Sequence, residues 1–169
     1  MENVMPILNV KVSVQRSDET TRAISTMLTD LTQRILGKDP AVTAIAIDYV
    51  DPRDWIAGGR TLAEQGKSSV YFDIKITDET NTKSEKAAYI RAAFEGFERI
   101  LGNLHEESYI YVQDVRAAAY GYGGQTQEWR HQRAVRRAEH HPWSFRHWRR
   151  SCRSGLRNLR PSGSCRPAG

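Results

Sequence analysis

No stretch of this sequence approaches the ~20 apolar residues of a membrane-spanning helix, and the first five residues lack the basic-then-apolar build of a signal peptide. Membrane insertion and secretion are disfavoured, and a cytoplasmic protein is expected. Lysine is missing from residues 130–169 and acid is nearly so: eleven arginines stand there against Glu139 alone, a local charge of +10. Residues 1–129 carry fourteen basic and nineteen acidic side chains, a charge of −5, so the overall +5 describes neither part. The chain is an acidic body with a basic appendix, parting near residues 127–132. Cysteine is absent from the body; Cys152 and Cys165 lie in the appendix with His140, His141 and His147. Their spacing fits none of the usual zinc-finger patterns, so no metal is expected.

In the appendix, arginines interleave with Trp143 and Trp148, a composition that single-stranded nucleic-acid binders use. Arginine without lysine, beside Ser, Pro, Gly and Cys, also suits a disordered segment or an out-of-frame reading of a GC-rich message, and that reading is preferred. Residues 133–169 are therefore expected to be disordered and dispensable, with nucleic acid disfavoured as a partner.

The body, expected over residues 6–132, is periodic. Leu8, Val10, Val12 and Val14 alternate with Asn9, Lys11 and Ser13, the pattern of a strand. Pro6 opens it, where a missing N–H leaves the ladder intact. Residues 1–5 are read as a leader or as lying upstream of the true start. If Met5 begins the chain and is removed, Pro6 carries a free secondary amine. An α-amino group titrates at about 7.7–8.0, and burial in an apolar pocket lowers that value. Such an amine, neutral at pH 7, can take a proton and return it. As an internal residue, Pro6 is an amide with no basicity.

Ser17 is a helix N-cap followed by Asp18 and Glu19. Ala23, Ile24, Met27, Leu28, Leu31 and Ile35 then share one face, and Gly37 stops the helix. A second strand spans residues 43–49, and Trp55 leads into a Gly58-Gly59 turn. The pattern then repeats. Asn9–Ser13 matches Asp73–Thr77 in residue type 64 positions on. After one extra residue near 78–81 the offset is 65, and Arg34-Ile35-Leu36-Gly37 recurs as Arg99-Ile100-Leu101-Gly102. Trp55 through Thr61 matches Tyr120 through Thr126. The second helix has its own capping box, Thr82 with Glu85, and an expected apolar face of Ile90, Ala93, Phe94, Phe97 and Leu101. Two βαβ units, residues 6–66 and 67–129, predict an α+β fold: a four-stranded sheet with both helices on one face. No third helix covers the other face, which points to self-association.

The Met-Pro strand start, Arg16-Ser17-Asp18-Glu19 and the aromatic-x-x-Gly-Gly turn together resemble the tautomerase superfamily, which includes 4-oxalocrotonate tautomerase and macrophage migration inhibitory factor. The likeness covers roughly residues 5–128, with two units fused as in its longer members. It implies a homotrimer with pockets between subunits and a cofactor-free keto–enol tautomerase whose N-terminal proline moves the proton. The substrate would be a small carboxylate, a 2-oxo acid or 2-hydroxydienoate. Pro6 takes the catalytic role. Arg16, ten residues on, matches a carboxylate-binding arginine of the short members, though it also suits a solvated helix start. Gly37-Lys38-Asp39-Pro40 is similar to a Gly-Lys-x-Pro whose lysine lines the proline pocket; a lysine facing water is the plain alternative. Tyr109 stands where those members place a pocket tyrosine from a neighbouring subunit, or it packs across strands. Trp55 falls at the pocket's aromatic wall.

The chain departs from the pattern in three ways. Ala44 replaces the second-strand arginine, with Arg53, Arg60 and Arg116 as undistinguished substitutes. Residues 77–82 carry no arginine, which disfavours halide or water-adding chemistry. Val70 aligns with Pro6, leaving one active proline per chain. A catalytically silent trimeric binding protein on the same scaffold is the alternative, as is binding through the appendix.

Overall fold

A computed structural model of the chain describes residues 6–139. Its elements in order are β1 (Ile7–Val12), α1 (Asp18–Leu36), a 3-10 turn (Pro40–Val42), β2 (Ala44–Tyr49), β3 (Ile56–Ala57), β4 (Arg60–Thr61), α2 (Leu62–Gln65), β5 (Val70–Thr77), α3 (Lys83–Leu101), β6 (Tyr109–Val115), β7 (Gly121–Tyr122), β8 (Gln125–Thr126) and α4 (Gln127–Glu139). The chain divides into two units, a body ending at Glu128 and a second unit from Trp129. Helix α4 runs through residues 133–139, across the boundary expected at residue 132. In the second unit the Arg133 guanidinium lies 4.6 Å from the centre of the Trp129 ring, a cation–π contact. The expected leader and the cysteines, Trp143 and Trp148 lie outside the described residues.

The long helices start and stop where local chemistry dictates. Ser17 is extended (φ −143°, ψ 151°) and its hydroxyl accepts from the Thr20 N–H at 3.0 Å, satisfying one of the donors a helix start leaves open. Gly37, at φ 65°, ends α1 in the left-handed conformation. Helix α3 begins with the reciprocal box: the Glu85 N–H reaches the Thr82 hydroxyl, and the Thr82 N–H reaches the Glu85 carboxylate at 2.7 Å.

The sheet order is β2-β1-β5-β6, with β1 parallel to β2, β5 parallel to β6, and β1 antiparallel to β5. At the central junction Asn9 pairs with Asp73, and these are the same residues that the repeat equates. A pseudo-twofold axis therefore passes between them and exchanges the two βαβ units. Leu8, Val10, Val12, Phe72, Ile74 and Ile76 point to one face and are fully buried under both helices with Ile24, Leu28, Tyr89 and Phe97. Both helices lie on that face, as expected.

Two details differ from the sequence reading. In α3 the buried face is turned toward Tyr89, which is fully buried, whereas Ile90 is 38% exposed. The reason is a partner for the phenol: its oxygen lies 2.8 Å from the Thr32 hydroxyl of α1, so a polar tip is buried without loss. The helix-free face is also less apolar than expected. Its inner strands present Asn9, Lys11, Asp73 and Lys75, with Asp73 accepting from Asn9 and paired with Lys75. The apolar part is a tyrosine cluster: the Tyr109 and Tyr111 rings stack 6.2 Å apart, and Tyr71 lies 5.7 Å from Tyr111.

Candidate active site

Strand β1 opens with Pro6, which is buried and whose carbonyl accepts from the Ala44 N–H at 3.2 Å. That bond extends the β1–β2 ladder and holds the proline against β2. Helix α1 runs back from the far end of β1, so the residues after its Gly37 cap return to the Pro6 end of the sheet. Lys38 arrives there 6% exposed, and its ammonium donates to the Thr80 hydroxyl at 2.9 Å. Because β5 is antiparallel to β1, the loop after β5 lies at this end too. The Thr80 hydroxyl donates to the Thr77 carbonyl at 2.6 Å, and the Asn81 amide donates to the last-turn carbonyl of Leu36 at 3.1 Å. The loop is thus tied both to itself and to the end of α1.

Charge around Lys38 is arranged as well. The Glu85 carboxyl is held below its ordinary pKa first by the Thr82 N–H, then by the Thr82 hydroxyl and the Asn81 amide, with the Lys38 charge adding to them. A buried ammonium needs such compensation. Strand β6 ends at the same place. The hydroxyls of Thr77 and Tyr120 lie 2.6 Å apart, bringing the aromatic residue of the second hairpin to the Pro6 end.

The other three site residues of the sequence reading stand elsewhere. Arg16 follows β1, Trp55 follows β2, and Tyr109 begins β6; all three positions are at the opposite end of the sheet. Arg16 lines a shallow cleft of about 380 Å³ with Thr21, Ile47, Asp48 and Tyr49. The Trp55 carbonyl accepts from the Leu62 N–H at 2.9 Å, and Tyr109 is 54% exposed on the edge strand. At that end Val70 takes the place of Pro6, and its peptide N–H donates to the Ser108 hydroxyl at 3.3 Å. Within one chain the fold therefore brings Pro6 and Lys38 to one end of the sheet and leaves Arg16, Trp55 and Tyr109 at the other.

The sequence reading missed Thr77, Thr80 and Tyr120 at the Pro6 end. The signal was available in the repeat: Tyr120 is the counterpart of Trp55, and Thr80 stands 64 residues after Arg16. Antiparallel pairing of β1 with β5 makes each unit's first-strand start face the loops of the other unit. Among the described residues no group of three or more His, Cys, Asp or Glu side chains is placed to hold a metal ion. No helix among them is long and apolar enough to cross a membrane.

The family described as Tautomerase enzyme matches residues 6–65, the first βαβ unit. No curated protein matches the chain. Among solved structures, the R7 fused 4-OT wild-type asymmetric trimer superposes with a TM-score of 0.65 at 18% identity, covering 74% of this chain and 98% of that one. MIF2 of Leishmania major gives a TM-score of 0.60 at 19% identity, covering 72% and 97%. Pt0534, solved after inactivation by 2-oxo-3-pentynoate, gives 0.65 at 14% identity, covering 73% and 98%. These likenesses extend over both units and show a common fold.

Proposed function

We propose that the chain is a two-unit member of the tautomerase superfamily and that it interconverts the enol and keto forms of small 2-oxo acids without a cofactor. Pro6, as the mature N-terminus, is the base and acid of this reading. Its neutral secondary amine takes the enol O–H proton, and the resulting ammonium returns a proton to the substrate carbon, so the amine is regenerated. Lys38 holds the substrate carboxylate as a point charge, with Thr80 orienting the ammonium. Burial and the nearby Lys38 cation both disfavour a charged amine and lower its pKa.

The observation that carries this reading is the shared placement of two buried residues, Pro6 and Lys38, at one sheet end. Arg16, Trp55 and Tyr109 enter such a site only from another copy of the chain. A homotrimer, the state in which the fused 4-OT relatives are described, would supply them across subunit boundaries.

The test compares two chains. One beginning at Pro6 should ketonise the enol of phenylpyruvate, with a rate that rises with pH through an amine pKa below ~7.7. The same chain retaining Met1–Met5 should be nearly inactive, because an amide nitrogen cannot accept the proton. The acetylenic ketone 2-oxo-3-pentynoate is an acceptor for a neutral amine, so it should add one inhibitor mass to the N-terminal peptide of the processed chain only. Equal turnover by both chains would rule Pro6 out as the base.

A further inference from the structure

We propose that helix α4 is a binding surface for single-stranded nucleic acid, on which Arg133 and Arg136 hold phosphates and Trp129 stacks a base. The composition of residues 133–169 favours disorder over such a role, but composition says nothing of placement. Because residues 127–139 form a helix, each side chain there is assigned a face. Trp129, Arg130, Arg133 and Arg136 stand at i, i+1, i+4 and i+7, within about 120° of one another at 3.6 residues per turn. An apolar stripe takes these positions in a helix packed on a core. Here three arginines and one aromatic occupy them. Glu128, the acid of the first turn, falls on the opposite face with His131 and Val135.

The stripe is accessible. Arg133 and Arg136 are exposed, Trp129 is 38% exposed and Arg130 is half-buried. With the Arg133 guanidinium 4.6 Å from the centre of the Trp129 ring, two side chains make one flat cationic platform. Every base has a π-face that can stack on an aromatic ring or on a guanidinium plane. Guanidinium also grips phosphate oxygens through two parallel N–H donors, which an ammonium cannot do. Arginine without lysine suits both tasks. Arg133 and Arg136 are three residues apart, a rise of about 4.5 Å, so both address one stretch of backbone.

Charge and shape select the ligand. Residues 130–169 carry +10 and residues 1–129 carry −5, so a polyanion is drawn to the appendix and repelled by the body. An anionic membrane needs a helix with a broad apolar face. The larger apolar side chains of α4, Trp129 and Val135, instead stand about 120° apart. An acidic peptide offers carboxylates but no row of rings for Trp129. A duplex keeps its bases stacked on one another. A single strand satisfies both the arginines and the indole.

Fluorescence anisotropy tests this with the full chain and a labelled oligothymidylate of about 16 nucleotides, titrated at several salt concentrations. Trp129→Ala should weaken binding of the single strand about tenfold and leave binding of a duplex of equal length unchanged. Trp129→Phe should keep most of the affinity. Replacing Arg133→Gln together with Arg136→Gln should make the slope of log affinity against log salt shallower by about 1.4, two phosphates at ~0.7 each. Competing polyglutamate and phosphatidylserine vesicles should both bind more weakly than the oligonucleotide. A Trp129→Ala chain that binds the single strand like the parent overturns the proposal, as does an unchanged salt slope in the double variant. Polyglutamate bound as tightly as the oligonucleotide would show a non-specific polycation, and vesicles bound as tightly would show a membrane surface; either result overturns it as well.

Discussion

Tyr89 shows how one hydroxyl governs the orientation of an entire helix. Its ring packs against Phe72 at 6.1 Å between centroids, and its phenol meets Thr32 across the helix interface. Burial pushes the phenol pKa above its ordinary value, and the Thr32 bond only partly opposes this. A proton held more tightly in the folded than in the unfolded chain stabilises the fold below the unfolded value. That stability is lost as pH rises above ~10. Tyr89→Phe should therefore cost about 1 kcal/mol near neutrality by leaving the Thr32 hydroxyl without its partner. The same variant should lose stability less steeply above pH ~10. Urea denaturation at neutral and alkaline pH measures both effects, and a variant as alkali-sensitive as the parent would contradict them.

At the scale of elements, the two long helices come into close contact at Gly96. A Cβ there would lie 2.7 Å from the Met27 Sδ, inside any tolerable contact. The antiparallel course of α1 and α3 follows from the antiparallel β1 and β5, and Gly96 lets the pair close over the sheet. Methionine is flexible enough to yield to one methyl group, so Gly96→Ala should be mild. Gly96→Val should cost about 1–3 kcal/mol through overpacking, and Met27→Ala should recover part of that loss. Thermal or urea midpoints of the two single variants and the double variant report the coupling; additive losses would show that Met27 is not what Gly96 accommodates.

For the whole molecule, the pseudo-twofold axis makes two similar sheet ends and then differentiates them. One end has Pro6, Lys38, Thr80 and Tyr120; the other has Val70, Arg16 and Trp55. The exposed tyrosines of the helix-free face lie on the edge strand β6, where another copy could continue or cover the sheet. In the proposed trimer that cluster is buried. Sedimentation equilibrium at micromolar concentration should give three times the chain mass, and Tyr109→Asp with Tyr111→Asp should shift it toward monomer. A parent chain that stays monomeric would remove the route by which Arg16, Trp55 and Tyr109 reach the Pro6 site.

The sequence by itself determined the two βαβ units, their helix caps at Ser17, Gly37 and Thr82, and the Pro6–Val70 asymmetry between them. These features rest on periodicity, capping chemistry and residue identity, all of which act over a few neighbouring positions. The orientation of α3 was less legible, because Tyr89 and Ile90 are adjacent and what distinguishes them, the Thr32 hydroxyl and the Phe72 ring, lies elsewhere in the chain. Which residues of the second unit reach the Pro6 end was decided by tertiary structure alone. The pairing of β1 with β5 could have run either way as far as their alternation is concerned. Its antiparallel sense brings Thr80 and Tyr120 to the proline and places Tyr109 at the other end, whereas the first βαβ unit alone returns Lys38 to the Pro6 end and leaves Arg16 and Trp55 at the far one. That choice arises from contacts between units some 64 residues apart, and local periodicity carries no record of it.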